Sequence, residues 1–302
     1  MQEKLQVQEK VRILVAGATG YLGQHFVKVL QQMDADFVTI GRSKHRLDAL
    51  GLTAKQIIEA KVTEPKSLEG CCKNIDVVIS CIGITRQQDG FNYMDVDYQA
   101  NINLLEQAER AGVKSFIYIS AFNAPQFGAV RLLYAKEEFA KRLLSSSLLQ
   151  PCVIRPNGFY RDMDAFYEMA KTGRSYLIGK GEVRLNPIHG EDLAHYCLAQ
   201  IAPLLAGETQ SELSIGGGEV VSLKQLVQLA YQALDKPVRI TYLPEFIGSI
   251  ALMIAKKLPE RWGGAAEFFL TVSQQDMVAP QCGKHNLLSH FISLSNRHSS
   301  EG

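Results

Sequence analysis

The first half of the chain alternates between short apolar runs and longer stretches in which apolar residues recur at helical spacing. The runs lie at residues 11–15, 37–40, 57–62, 75–83, 116–120 and 151–156. Runs of this kind predict strands that are buried on both faces, as in a parallel sheet. After the first run, Leu22, Phe26 and Leu30 are spaced as on one face of a helix. The alternation predicts an α/β fold with a doubly wound parallel sheet and a smaller C-terminal lobe.

Three glycines, Gly17, Gly20 and Gly23, separate the first predicted strand from the first predicted helix. Gly17 permits a tight turn, Gly20 leaves room for a ligand beside the backbone, and Gly23 permits close packing of the helix. The helix N-terminus offers N–H groups and a positive dipole end to a pyrophosphate. The pattern predicts dinucleotide binding; the alternative is an ordinary strand-to-helix turn. The expected contacts are Gly17, Ala18, Thr19, Gly20, Tyr21, Leu22 and Gly23.

A basic segment, residues 41–46, follows the second predicted strand, and no acidic residue occurs between Phe37 and Leu47. In dinucleotide-binding folds an acidic residue near this point holds the ribose 2′-OH of NAD, whereas an arginine accommodates the 2′-phosphate of NADP. Arg42, supported by Lys44 or Arg46, therefore predicts NADP as the cofactor. The alternative is a basic loop that is only solvated.

The segment GATGYLG, together with NLLEQAERAGVKSFIYIS further along, resembles the short-chain dehydrogenase/reductase superfamily, and in particular its atypical branch. The resemblance implies a Rossmann NAD(P)-binding domain over residues 1–155 and a substrate-binding lobe with a C-terminal tail over residues 156–302. In that family the strand at 75–83 ends beneath the cofactor, so Cys81, Ile82 and Gly83 are expected cofactor neighbours. The family also places a catalytic serine where Ser120 stands.

A Tyr-x-x-x-Lys pair follows that serine in the family, and this sequence departs from it. Lys136 matches the lysine, but Leu132 stands where the tyrosine is expected. Tyr134 is the nearest tyrosine, and on a regular helix it lies about 200° around the axis from Lys136. Tyr134 can therefore act as an acid only if the helix begins after it. The resemblance leaves Ser120, Tyr134 and Lys136 as candidate catalytic residues, with Lys136 also expected on the ribose hydroxyls.

Three polar residues outside these motifs each have two interpretations. Asp97 and Asn101 are four apart on a predicted helix, and they either reach the cofactor or face solvent. His189 precedes another predicted helix, and we interpret it as a structural histidine rather than a catalytic base.

The resemblance implies an NADP-dependent oxidoreductase that reduces a small apolar or conjugated substrate, as in divinyl chlorophyllide 8-vinyl reductase-like and isoflavone reductase-like proteins. The damaged Tyr-Lys pair supports an alternative, a non-catalytic NADP(H)-binding sensor, assembly factor or complex subunit. It disfavours a nucleotide-sugar epimerase or dehydratase, whose chemistry depends on that pair.

Composition narrows the possible partners. Lysine and arginine total 32 against 31 acidic residues, so no overall field argues for nucleic acid. The six cysteines show no metal-site spacing, which predicts reduced thiols, no bound metal and a cytoplasmic protein. The polar residues 1–10 argue against a secretory signal peptide.

One apolar segment is long enough to raise the possibility of membrane contact. Residues 246–255, FIGSIALMIA, precede two lysines and are about half of the roughly 20 residues needed to span a bilayer. We predict a buried or interfacial helix of the second lobe there, with membrane-surface association as the less favoured alternative.

Overall fold

The computed structural model describes residues 11–84, 90–208 and 210–300, with side chains described as far as residue 296. The strands are β1 (Ile13–Ala16), β2 (Phe37–Gly41), β3 (Ile57–Glu59), β4 (Val77–Ser80), β5 (Ser115–Ile119), β6 (Gln150–Pro156), β7 (Ser175–Ile178), β8 (Arg184–Leu185), β9 (Glu212–Ile215), β10 (Val221–Ser222) and β11 (Ile240–Leu243). The helices are α1 (Tyr21–Gln32), α2 (Lys44–Asp48), α3 (Asn101–Ala111), α4 (Arg131–Leu144), α5 (Tyr160–Lys171), α6 (Gly190–Ala199), α7 (Ile201–Leu205), α8 (Leu223–Ala233), α9 (Glu245–Lys257), α10 (Glu260–Val272) and α11 (Leu287–Ser300).

Seven strands form one parallel sheet in the order β3-β2-β1-β4-β5-β6-β9. Helices α1 and α6 pack on one face, where Phe26 and Leu193 belong to the same apolar core. Helices α3 and α4 cover the other face, where Leu104 and Phe139 belong to a second core. The predicted doubly wound sheet is confirmed, and the strand order reverses between β1 and β4, where ligands bind in such sheets.

The second half of the chain has its own core, yet part of it returns to the sheet. Side chains from α5, α8 and α11, including Phe166, Leu226 and Phe291, form that core. After α5, however, the chain comes back to pack α6 on α1 and to pair β9 with β6. The predicted boundary at residue 155 lies one residue before the end of β6. Helix α6 and strand β9 come after it in the chain but belong spatially to the sheet.

The apolar segment at residues 246–255 forms most of helix α9. Along this helix only Gly248 and Ala255 are buried, so it is a surface helix rather than a core helix. Within the described residues, none of the helices combines the length and apolar character that crossing a bilayer requires.

Gly23 brings α1 close to the glycine loop, and a substitution there tests this packing. A β-carbon on Gly23 would overlap the carbonyl oxygen of Gly17 and approach the α-carbon of Ala18 to 2.6 Å. Gly23→Ala should therefore lower the free energy of unfolding by about 1–3 kcal/mol, the usual cost of overpacking. Urea denaturation measures this difference.

Gly128→Ala is the matched control. Gly128 has a φ of −58°, and no atom lies within 4 Å of the position that a β-carbon would take there. This substitution should leave stability unchanged or slightly raised. Equal stability of the two variants would contradict the packing role assigned to Gly23.

Candidate nucleotide-binding site

The glycine loop between β1 and α1 packs directly against the end of β4. Gly17 has a φ of +83°, and a β-carbon on it would lie 2.9 Å from the carbonyl group of Cys81. The Gly20 N–H donates to the Gly17 carbonyl oxygen at 3.0 Å, which closes the turn. Gly17 thus combines a left-handed turn with a close backbone approach, and both features require glycine.

The loop leaves the start of α1 open for an anion. Gly20 is the N-cap in extended conformation, and in the described structure no side chain caps this helix and no acidic residue lies in its first turn. The first N–H groups of a helix have no partner within it. Their orientation and the helix dipole suit a pyrophosphate, so these residues fit a dinucleotide.

Three side chains of this segment, those of Ala18, Tyr21 and Leu22, pack into the protein. Ala18 and Leu22 are buried in the core between α1, α6 and the sheet, so they can contact a cofactor only through their main chain. The Tyr21 hydroxyl accepts a hydrogen bond from the Gly190 N–H at 3.1 Å, and burial raises the pKa of Tyr21 to about 12. Tyr21 therefore links α1 to α6.

The end of β4 connects the glycine loop to Lys136. Cys81 donates its N–H to the Ala16 carbonyl oxygen at 2.9 Å and touches Gly17, as described above. Two residues later, a β-carbon on Gly83 would lie 2.9 Å from the Lys136 Nζ and 2.6 Å from the Asp97 Oδ1. The predicted residues Gly17, Cys81 and Gly83 thus lie together along the carboxyl edge of the sheet.

Lys136 forms a buried ion pair with Asp97, whose side chain is inaccessible to solvent. The Lys136 Nζ lies 2.9 Å from the Asp97 Oδ1 and 5.7 Å from the centre of the Tyr118 ring. Burial alone would lower the pKa of Lys136, but the Asp97 carboxylate and the Tyr118 phenol outweigh it and raise that pKa. The ammonium group is therefore charged throughout the physiological range.

A π-helical segment, Met94–Ala100, positions Asp97 before the chain continues into α3. The Asp97 Oδ2 accepts a hydrogen bond from the Ile84 N–H at 3.1 Å. Asn101 donates to the Asp97 carbonyl oxygen at 2.9 Å and accepts from the Ser80 hydroxyl at 2.5 Å. Both side chains are buried beside the end of β4, so the solvent-facing interpretation is wrong.

The basic segment lies beside the glycine loop. Strands β1 and β2 are paired, with Ala16 opposite Ile40, so their carboxyl ends emerge together. The Arg46 guanidinium donates to the carbonyl oxygen of Thr19 at 3.5 Å. Arg42 follows β2 directly and is exposed. The structure therefore brings both predicted segments to one edge of the sheet.

Ser120 is turned towards a different charged group. Its hydroxyl lies 3.4 Å from the Glu137 carboxylate and 3.4 Å from the Arg155 guanidinium. Glu137 and Arg155 form a buried ion pair, and Arg155 also pairs with Glu212. Ser120 thus contributes to a network that ties β5, α4, β6 and β9 together, and these contacts do not pair it with Lys136.

Tyr134 does not share the Lys136 side of α4. The helix begins at Arg131, so Tyr134 lies within it, and its side chain is 46 % exposed. The condition under which Tyr134 could act as the acid is therefore not met. Leu132, at the position of the expected tyrosine, is buried in an apolar cluster with Tyr93 and Ala135.

Histidines occupy the junction of α1 and α6. The Nδ1 of His189 accepts the Glu191 N–H at 3.3 Å, which makes His189 the N-cap of α6. Burial lowers the pKa of His189 to about 4 and also lowers the pKa of His25. His189 is therefore a neutral side chain that caps α6, in agreement with its interpretation as a structural histidine.

A cavity of about 720 Å³ lies in the second lobe. Its walls come from residues 165–183, Leu223, residues 245–249 and residues 269–274. The predicted cofactor residues lie outside these walls, so the cavity is a feature of the second lobe rather than of the nucleotide site.

Comparison with known sequences agrees with this geometry. Residues 17–203 match a family of proteins described as NAD(P)H-binding. The chain belongs to this NAD(P)H-binding family. The match begins at Gly17 and runs through Lys136, so the glycine loop and the Lys136 pair both lie within the matched residues, and the chain binds a nicotinamide cofactor.

Individual relatives are more distant. The chain is 25 % identical over 306 aligned positions to divinyl chlorophyllide a 8-vinyl-reductase of Arabidopsis thaliana, covering 91 % of this chain and 72 % of that protein. It is 22 % identical over 235 positions to the photosystem II assembly factor Ycf39 of Synechocystis, covering 78 % and 71 %. The resemblance to atypical short-chain reductases is thereby confirmed.

Solved structures support the fold. The NADPH-dependent quinone oxidoreductase QOR2 of Escherichia coli, crystallised with NADPH, superposes with a TM-score of 0.66 at 18 % identity, covering 94 % of this chain and 100 % of that one. At this identity the likeness concerns the fold alone.

Several buried residues beside the candidate catalytic positions were not predicted from the sequence. Tyr118 is a strand residue whose ring is hidden beside Lys136, and Glu137 and Arg155 are buried charges. An arginine inside the apolar run PCVIRP was the available signal for Arg155, because a buried guanidinium requires a carboxylate partner. For Tyr118, the sequence indicates only that it lies on the side of β5 that faces α4, and not that it lies beside Lys136.

The buried Asp97–Lys136 pair should contribute to stability as a unit. Asp97→Asn or Lys136→Met alone leaves a buried charge unpaired and should cost about 3 kcal/mol or more of unfolding free energy. The double variant should lose less than the sum of the single losses, because neither charge remains. A double-mutant cycle in guanidinium chloride measures this coupling.

Lys141→Met on the same helix is the control. Lys141 pairs with Glu138 at the surface, and its loss should leave stability nearly unchanged. Strictly additive losses for the Asp97 and Lys136 variants would show that the pair does not act as a unit.

Proposed function

We propose that this protein is an NADP-dependent oxidoreductase of the atypical short-chain type, which reduces a small apolar or conjugated substrate. The observation that carries the proposal is the continuous edge from the glycine loop through Cys81 and Gly83 to the Lys136–Asp97 pair. The glycine loop at one end of that edge suits the pyrophosphate of a dinucleotide, and Lys136 at the other end suits its nicotinamide ribose.

Each part of the edge has a role in this proposal. The α1 N-terminus binds the pyrophosphate, and Arg42, with Arg46 beside Thr19, binds the 2′-phosphate. Lys136 donates hydrogen bonds to the nicotinamide ribose, and Asp97 holds its ammonium group in place. When bound, the cofactor supplies a hydride.

The side chains near Lys136 limit the reaction class. In the standard mechanism a phenol beside the lysine passes a proton to a carbonyl oxygen. Here Leu132 takes that position and Tyr134 faces solvent. Hydride addition to a conjugated carbon–carbon double bond leaves a stabilised carbanion. The proton that completes the reduction is taken up from solvent, so the reaction does not require a phenol at position 132. The relative named a vinyl reductase is compatible with this substrate class.

A second candidate function is a non-catalytic NADP(H)-binding protein. The observation in its favour is the same absence of a tyrosine at position 132, combined with the intact glycine loop. A relative at similar identity is named as an assembly factor rather than as an enzyme.

Hydride transfer separates the two candidates. The purified protein should oxidise NADPH, followed by the loss of its near-ultraviolet absorbance, in the presence of one or more members of a panel of enones, vinyl-substituted tetrapyrroles and quinones. Lys136→Met should abolish that turnover, while Lys141→Met retains it. NADPH that binds tightly but is never oxidised by the panel would favour the non-catalytic candidate.

The cofactor preference has its own test. Arg42→Ala should weaken NADPH binding by about 10- to 100-fold, the worth of a charge-assisted contact, and should leave NADH binding almost unchanged. Titration of both nucleotides by calorimetry measures the two affinities. Arg174→Ala, an exposed arginine of the second lobe, is the control. Equal losses for NADPH and NADH would remove Arg42 from the 2′-phosphate site.

A further inference from the structure

Large apolar side chains form an exposed row along α9 and at the start of α10. Phe246, Ile250, Met253 and Ile254 are exposed by 63 %, 47 %, 52 % and 50 %, and the row continues with Leu258 at 42 % and Trp262 at 68 %. We call these six residues the α9–α10 apolar face. Single exposed apolar side chains are normal on a surface, but six large ones on one helix and the start of the next are typical of an interaction site.

Helical geometry places the four α9 residues of this row on one side. They stand at positions i, i+4, i+7 and i+8, which is the spacing of an amphipathic stripe. The buried residues Gly248 and Ala255 define the opposite, protein-facing side. At Gly248 the helix contacts Ile178 of β7 so closely that a β-carbon would approach its side chain to 2.9 Å.

The exposed face is held rigidly rather than frayed from the molecule. Arg131 of α4 donates to the carbonyl oxygens of Ala255 at 3.1 Å and Leu258 at 3.0 Å. The same guanidinium pairs with the buried Glu267 of α10 at 2.6 Å. Helices α9 and α10 therefore present their apolar side chains in a fixed arrangement.

Charges around the face identify what it would contact. Lys256, Lys257 and Arg261 are exposed at its centre and far end, and the Arg261 guanidinium lies 5.3 Å from the centre of the Trp262 ring. The neighbouring Glu260 is turned inward and accepts the Tyr93 N–H at 2.6 Å. At the start of α9, Glu245 is an exposed acidic residue.

A row of apolar side chains with a tryptophan and flanking basic residues matches the chemistry of an anionic lipid surface. Long basic side chains reach headgroup phosphates while the apolar side chains enter the acyl region. A second copy fits less well, because a two-fold interface centred here would bring the same lysines together. We propose that the α9–α10 apolar face docks the protein on anionic membrane surfaces without spanning them. This proposal stands independently of the proposed catalytic activity.

Vesicle flotation tests the proposal. The whole protein should float with phosphatidylcholine vesicles that contain one quarter phosphatidylglycerol and should bind pure phosphatidylcholine vesicles at least about tenfold more weakly. Raising the salt concentration from about 0.1 M to about 0.5 M should reduce the anionic binding. Absence of flotation with both vesicle types would overturn the proposal.

Trp262 provides a direct readout, because it is the single tryptophan of the chain. Its fluorescence should shift to shorter wavelength on anionic vesicles and be quenched by lipids brominated on the acyl chain. An unchanged spectrum in the presence of bound vesicles would show that another surface makes the contact.

Two variants and a control assign the binding to the face. Phe246→Ser combined with Ile250→Ser should lower the vesicle partition coefficient at least about tenfold, and Lys256→Glu with Lys257→Glu should abolish the preference for anionic lipid. Leu148→Ser removes a side chain that is 67 % exposed in the α4–β6 connection, and it should have no effect. Circular dichroism and NADPH titration establish that each variant is folded.

Size-exclusion chromatography with light scattering tests whether a second copy of the chain, rather than a membrane, binds this face. The proposal expects a mass that does not depend on Phe246 or Ile250. A dimer that dissociates in the Phe246→Ser, Ile250→Ser variant, together with no vesicle binding by the parent protein, would reassign the face to a second copy of the chain.

Discussion

The structure depends on the close approach of two backbone segments at the carboxyl edge of the sheet. Gly17 turns out of β1 directly against the carbonyl group of Cys81 at the end of β4, and Gly23 then brings α1 down onto that turn. No residue with a β-carbon fits either contact without displacing main-chain atoms. Because the turn is so tight, the N-terminus of α1 opens at the point where the strand order reverses, which is where a nucleotide binds.

Two buried ion pairs extend this edge in different directions. Asp97 and Lys136 lie over Gly83, so their placement also depends on a glycine. Glu137, the next residue of α4, pairs instead with Arg155 of β6. Adjacent residues of one helix thus serve two networks, because successive helical positions point about 100° apart. Ser120 joins the second network, which explains why it does not accompany Lys136.

The parts of the site that the sequence predicts are those determined by local geometry. Spacing within a few residues is enough to recognise three of these parts: the glycine loop, the basic segment after β2, and the leucine that stands four residues before Lys136. The position of Asp97 cannot be predicted in this way, because it depends on a π-helical segment that inserts an extra residue per turn. The exposure of α9 cannot be predicted from local sequence either, because an apolar run has the same composition whether or not other elements cover it. Coverage depends on where α10 packs, and Gly263 of α10 lies so close to α9 that its β-carbon would overlap the Ala255 carbonyl oxygen.

Helix α4 connects the altered catalytic position to this surface. Leu132 lies one turn before Lys136 and shares an apolar cluster with Tyr93, against which Phe268 of α10 packs. Arg131, the preceding residue, holds carbonyl oxygens at the end of α9. A tyrosine at position 132 would place its hydroxyl among these apolar side chains and require a hydrogen-bond partner there. The leucine therefore suits a protein in which α4 anchors the α9–α10 pair, because its side chain belongs to the apolar cluster against which Phe268 of α10 packs.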